Sequence, residues 1–145
     1  MTSTHVPVLD STIGQTNRWL ALLASDLHTA DRHLAYSALR AVLHALRDQL
    51  TPEQSAHLSA QLPMLVRGIF FEGWQPARTP AGDRTVADFA QRVAKEFPPN
   101  YPRAPTDAAQ AVLRLLFAEI DPGETAKIVH SMPDDLRSLW PAAAQ

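Results

Sequence analysis

The sequence predicts an all-α fold, and three observations carry that expectation. Apolar residues recur at three- and four-residue spacing along most of the chain. No stretch alternates apolar and polar residues as a strand would. An internal repeat at a constant offset of 70 residues runs through the helical segments, pairing Ala41-Val42-Leu43 with Ala111-Val112-Leu113. Across 39–70 against 109–140 the ungapped register gives eight identities in 32 pairs, including Pro52 with Pro122, Pro63 with Pro133 and Arg67 with Arg137. Upstream, Trp19 pairs with Phe89, Leu23 with Val93 and Leu27 with Phe97. The expected architecture is a tandem duplication of a three-helix unit. The first copy covers about 16–75, a joint rich in proline and glycine covers 75–84, and the second copy covers about 85–141.

Each element has a local reason. Trp19, Leu20, Leu23 and Leu27 form one stripe, in a span free of proline between Val8 and Thr51. Thr29 or Asp31 opens a long helix whose stripe is Ala35, Leu39, Val42, Leu43, Leu46 and Leu50. Thr51-Pro52-Glu53-Gln54 reads as a capping box with proline at the first helical position. Leu58, Leu62, Leu65 and Ile69 continue the stripe, but Pro63 must break it, because its ring clashes with the carbonyl four residues back. The second copy repeats this grammar: Thr85 before Val86, Phe89, Val93 and Phe97; Thr106-Asp107 before Val112, Leu113, Leu116 and Ile120; Asp121-Pro122-Gly123-Glu124 as a second box; and a restart at Pro133. Phe97 to Pro105 holds four prolines and predicts a stiff extended loop. A unit of about 60 residues is marginal alone, so the copies are expected to share one core in a single domain spanning 1–145.

The helix from Ala41 to Leu50, the motif Leu62-Pro63-Met64-Leu65-Val66-Arg67, the Gly73-Trp74 pair and the degenerate Met132-Pro133…Leu136-Arg137…Trp140 together resemble a bacterial family, domain of unknown function 2267. The resemblance covers roughly 16–141 and implies an all-helical domain with two related halves. It implies no activity.

Composition narrows the function. Among 145 residues, 46% are apolar and 19% charged, which suits a packed domain. The net charge is −2 and no run of lysine or arginine exists, so neither nucleic acid nor an anionic membrane is an expected partner. There is no cysteine, which removes thiolate metal sites and cysteine nucleophiles. The stretch Met1 to Thr12 lacks the basic and apolar regions of a leader, and the longest apolar run, Trp19 to Ala24, is far short of a membrane span. A cytoplasmic protein is expected. No metal or cofactor is expected either, since the six histidines show no ligand spacing. His33, His44 and His57 fall opposite Arg103, Arg114 and Lys127, which predicts three solvent-facing basic positions. Asp134-Asp135 reads as first-turn charge that complements a helix dipole, and none of the common catalytic fingerprints is present.

Two groups of residues remain as candidates. Arg67 and Arg137 are the one charged pair shared by both copies, and read either as a grip on an anionic ligand or as pins within their own copies. Phe71 and Trp74 lie beyond the repeat's own core, and read either as a seal over the seam or as anchors for a homodimer or another protein partner. The functional expectation is a non-catalytic interaction or scaffold domain. The alternative is an anionic-ligand protein, or an enzyme, using Arg67 and Arg137.

Overall fold

Proline sets most of the helix starts. In the computed structural model, which describes residues 3–145, Pro7, Pro52, Pro105 and Pro122 occupy the first position of α1 (Pro7–Asp26), α3 (Pro52–Ser59), α6 (Pro105–Glu119) and α7 (Pro122–His130). Pro63 and Pro133 immediately precede α4 (Met64–Phe71) and α8 (Asp134–Arg137). A first-turn proline gives up no hydrogen bond and arrives with a helical φ. The other two helices start on side-chain caps. Asp31 accepts from the amides of His33 and Leu34 ahead of α2 (Arg32–Gln49), and the Thr85 hydroxyl accepts from Asp88 ahead of α5 (Val86–Lys95). Short 3-10 turns lie at Pro76–Arg78 and Ala142–Ala144, and the described residues contain no strand. None of these helices is long and apolar enough to cross a membrane. Met1 and Thr2, the first residues of the stretch read as lacking a leader, lie outside the described residues.

The predicted third helix is two helices. Pro63 would strip Ser59 O of its helical donor; that carbonyl instead accepts from Leu62 N at 3.1 Å and from Arg67 Nε at 2.9 Å. The Thr51–Gln54 box forms in both directions, at 3.1 and 2.9 Å. The second box does not close. Asp121 caps the Glu124 amide at 3.2 Å, but the Asp121 amide donates to Gln61 Oε1 at 3.3 Å. A Glu124 carboxylate reaching back would crowd the Asp121 carboxylate, whereas the neutral amide oxygen of Gln61, just past α3, does not.

The stretches 70 residues apart hold corresponding elements: α2 and α6 end at Gln49 and Glu119, α3 and α7 begin at Pro52 and Pro122, and α4 and α8 begin at Met64 and Asp134. Helices α2 and α6 pack on each other; α1 packs on both of them, and so does α5; α4 packs on α2 and on α1, α8 on α5, and α3 on α7. Buried apolar side chains form one cluster from Trp19 to Ala144, drawing on both halves. The proline-rich loop is fastened over the end of α1. The Tyr101 ring stacks on Phe97 with centroids 4.0 Å apart, its hydroxyl donates to Leu34 O at 2.6 Å, and Arg103 forks onto Leu27 O at 2.9 and 2.6 Å. Burial pushes the Tyr101 phenol up to about 12.

Candidate functional site

The repeated arginines serve helix ends. Arg67 Nη2 donates to Leu62 O at 3.2 Å beside its bond to Ser59 O, just past the end of α3. Arg137 donates from Nε to Met132 O at 2.9 Å and from Nη2 to His130 O at 3.0 Å, just past the end of α7. Both close the carbonyls that a helix C-terminus leaves open, within their own half. Arg137 also lines a cleft of about 500 Å³ with Arg84, His130 and Asp134, while Arg67 has no place in its lining. Arg47 and Arg103 do the same service for α4 and α1. Four of the eleven arginines are thus spent on helix ends, a task that suits a planar fork of donors better than an ammonium.

Phe71 and Trp74 are half-buried. The Phe71 ring packs on Phe70 at 5.1 Å and on Trp74 at 4.9 Å, forming a small aromatic cluster over the end of α4. The Trp74 indole nitrogen is sealed from solvent without an acceptor among the described residues. The strongly exposed large apolar side chains lie elsewhere. Val8 and Leu9 on the first turn of α1 are 56% and 40% exposed, and Met64 and Leu65 on the first turn of α4 are 48% and 45% exposed. The Leu65 amide donates to Thr12 Oγ1 at 2.9 Å, which ties the start of α4 to the second turn of α1; Val6 and Leu22, also on or beside α1, are 43% and 45% exposed.

His44 corrects the expectation of three exposed histidines. His33 and His57 are exposed, but His44 is only 2% exposed. Its Nδ1 lies 2.8 Å from both oxygens of Glu96, and its Nε2 lies 2.7 Å from Ile69 O. One ring nitrogen thus faces a carboxylate and the other a backbone carbonyl, both of them acceptors for a ring N–H. The reason for burial is the cover. Helix α4 runs on through Ile69 and Phe71 and lies over α2, whereas its counterpart α8 stops at Arg137 and leaves Arg114 in solvent, paired with Asp26 at 2.9 Å.

His44 belongs to a basic stripe on α2 with Arg40 and Arg47, spaced so that all three share a face. Arg40 bonds Glu72 at 2.6 Å and Glu96 at 2.8 Å, and its hydrogen bond holds the Glu72 carboxyl below the usual range. Arg47, with 5% of its side chain exposed, donates from Nη1 to Phe70 O and Glu72 O at 3.0 and 2.9 Å, and from Nε to Asp48 at 2.9 Å. The spacing of 40, 44 and 47 was available in the sequence as a basic face cutting through an apolar helix. The positions 70 residues on, Gln110, Arg114 and Phe117, dilute that signal.

Beside this stripe, the joint opens a cleft of about 190 Å³ lined by Arg47 and Asp48 from α2, Arg78 and Thr79 from the 3-10 turn, and Arg92 from α5. Gly73, at φ 73°, turns the chain out of α4 into this joint in a conformation that a side chain disfavours. Arg92 grips both oxygens of Asp83 at 2.7 and 3.1 Å, and that hydrogen-bonded pairing holds the Asp83 carboxyl below its ordinary range. Among the described residues no group of three or more His, Asp or Glu side chains is placed to hold a metal ion.

Comparison with curated proteins gave no match. A family model described as "uncharacterized conserved protein (DUF2267)" matches residues 16–139, from the middle of α1 to just past α8. The match takes in both halves, the basic stripe on α2 and the joint between them, and the chain belongs to the DUF2267 family.

Proposed function

We propose that this protein is a non-catalytic protein-binding module of the bacterial cytoplasm, and that its contact surface is the apolar face made by the first turns of α1 and α4. The observation that carries this reading is the exposure of Val8, Leu9, Met64 and Leu65, each at least 40%, at the starts of two helices that the Thr12–Leu65 hydrogen bond ties together. Scattered exposed leucines are ordinary on any protein; a contiguous group is not. A second copy of the chain fits this face, because a two-fold interface brings the same patch from both sides. Phe71 and Trp74 stand at one remove from it, as a packed aromatic cluster. Arg67 and Arg137 are engaged on carbonyls of their own halves, so the geometry lends no support to their holding an anion together. The correspondence of elements at a 70-residue offset supports descent from one duplicated unit, now four helices rather than three in each half.

Sedimentation equilibrium of the full chain tests the reading. It predicts a mass of twice 16.0 kDa for the parent and 16.0 kDa for Leu65→Glu, with the helical spectrum unchanged. A parent that stays at 16.0 kDa across the accessible concentration range contradicts self-association through this face.

A further inference from the structure

The cleft at the joint has chemistry that the protein-binding reading does not use. Three guanidinium groups reach it from three separate elements: Arg47 from the last turn of α2, Arg78 from the 3-10 turn and Arg92 from α5. Arg47 is more than nine-tenths buried and lines the cleft, yet its Nη2 has no hydrogen-bond partner among the described residues; Nε and Nη1 make all of its bonds. That nitrogen is not among the sealed, partnerless atoms, which are Ser55 Oγ and Trp74 Nε1, so it keeps some contact with solvent on a residue that lines the cleft. Arg78 is exposed and makes no ion pair among the described residues.

Two helix ends face the same region and would oppose an anion if their carbonyls were free. They are not free. Arg47 takes Phe70 O and Glu72 O at the end of α4, and the Ala81 amide takes Asp48 O at 2.6 Å near the end of α2. Asp48 and Asp83 offset the charges of Arg47 and Arg92, which leaves the Arg78 charge uncompensated. The position corresponding to Arg47 in the second half is Phe117, so this arrangement belongs to the joint alone and is no part of what the halves have in common.

We infer that this cleft binds a phosphate group, with Arg47 Nη2, Arg78 and Arg92 as donors. Donors arriving from three elements suit a tetrahedral oxyanion with three acceptor oxygens better than a planar carboxylate, which one guanidinium fork satisfies. About 190 Å³ holds a phosphate with a short substituent, so the ligand class is inorganic phosphate or a small phosphate monoester.

The test is thermal unfolding and calorimetric titration of the full chain with sodium phosphate, sulfate, acetate and chloride at matched ionic strength. Phosphate and sulfate are expected to give a saturable rise in Tm, with acetate no better than chloride. Arg78→Gln, which breaks no side-chain hydrogen bond or ion pair among the described residues, should weaken phosphate binding at least about fivefold, as loss of one charge-assisted donor does. Lys127→Gln, on the exposed face of α7, should leave it intact. Equal shifts from all four salts would mean screening alone and would overturn the site. Saturation by acetate without phosphate would overturn the ligand class. An Arg78→Gln protein that binds phosphate like the parent would overturn the placement.

Discussion

The two halves clasp each other through the same pair of positions, with different burial. In one direction His44 of α2 holds Glu96 at the end of α5; in the other, Arg114 of α6 holds Asp26 at the end of α1. These contacts exchange under the 70-residue offset, since 44 corresponds to 114 and 96 to 26. One partner in the first pair is 2% exposed, whereas Arg114 is 50% exposed. What differs is α4, which is eight residues long and covers α2, against four residues in α8. Topology thus places a polar clasp, and cover decides its energetic weight.

That contrast can be broken most sharply at His44. Replacing it with alanine leaves Ile69 O without its side-chain donor and Glu96 with Arg40 alone, and is expected to cost about 2 kcal/mol in urea unfolding. If His44→Ala unfolds like the parent, the buried clasp is not holding the halves. The helix caps come next. Thr51→Ala and Asp121→Ala should each lose about 1 kcal/mol. Gln61→Ala should destabilise α7's start while leaving α3's own box intact, since Gln61 reaches only the Asp121 amide.

The Tyr101 loop sets the halves apart in pH as well, since the first half has no tyrosine at the equivalent position, Asp31. The phenol is raised from 10.0 to about 12, so the folded protein keeps its proton after the unfolded chain has lost it. Stability contributed by this group is therefore whole below pH 10 and falls as pH rises from 10 to 12. Urea midpoints over that range should fall more steeply for the parent than for Tyr101→Phe, and parallel curves would remove Tyr101 from the account. The smallest effect belongs to Arg114→Ala, less than about 1 kcal/mol, as for other solvent-exposed pairs. A loss equal to that of His44→Ala would mean that cover does not set the difference.

The helical grammar was legible because its causes are local. The Pro52 and Pro122 starts, the Asp31, Thr51 and Thr85 caps and the break at Pro63 depend on residues within one turn, whereas α6 starts at Pro105 without a side-chain cap and not on Thr106-Asp107. The family resemblance was legible for the same reason, since its motifs are helix starts and stripes. His44 was misread because a pairwise match reports only what stands at an equivalent place in the chain. Its burial depends on how far α4 extends, and α4 and α8 differ in length although they start in register. The anchoring arginines could be listed as alternatives, but carbonyl acceptors carry no residue-type signature, so the choice between anchor and ligand grip needed coordinates. The joint cleft was invisible for a related reason: Arg47, Arg78 and Arg92 are separated in sequence and meet only when α2, the 3-10 turn and α5 are packed.

We propose that the halves are one folding unit joined across α2 and α6, with a single core. Native-state hydrogen exchange tests it most directly, read at the amides of Leu43 and Leu46 in α2 and Leu113 and Leu116 in α6, all of them fully or almost fully buried. The account predicts that all four open with one free energy and one urea dependence, both equal to those of global unfolding. Opening of one pair at a lower free energy and a smaller urea slope would show two separately unfolding units, and would contradict it.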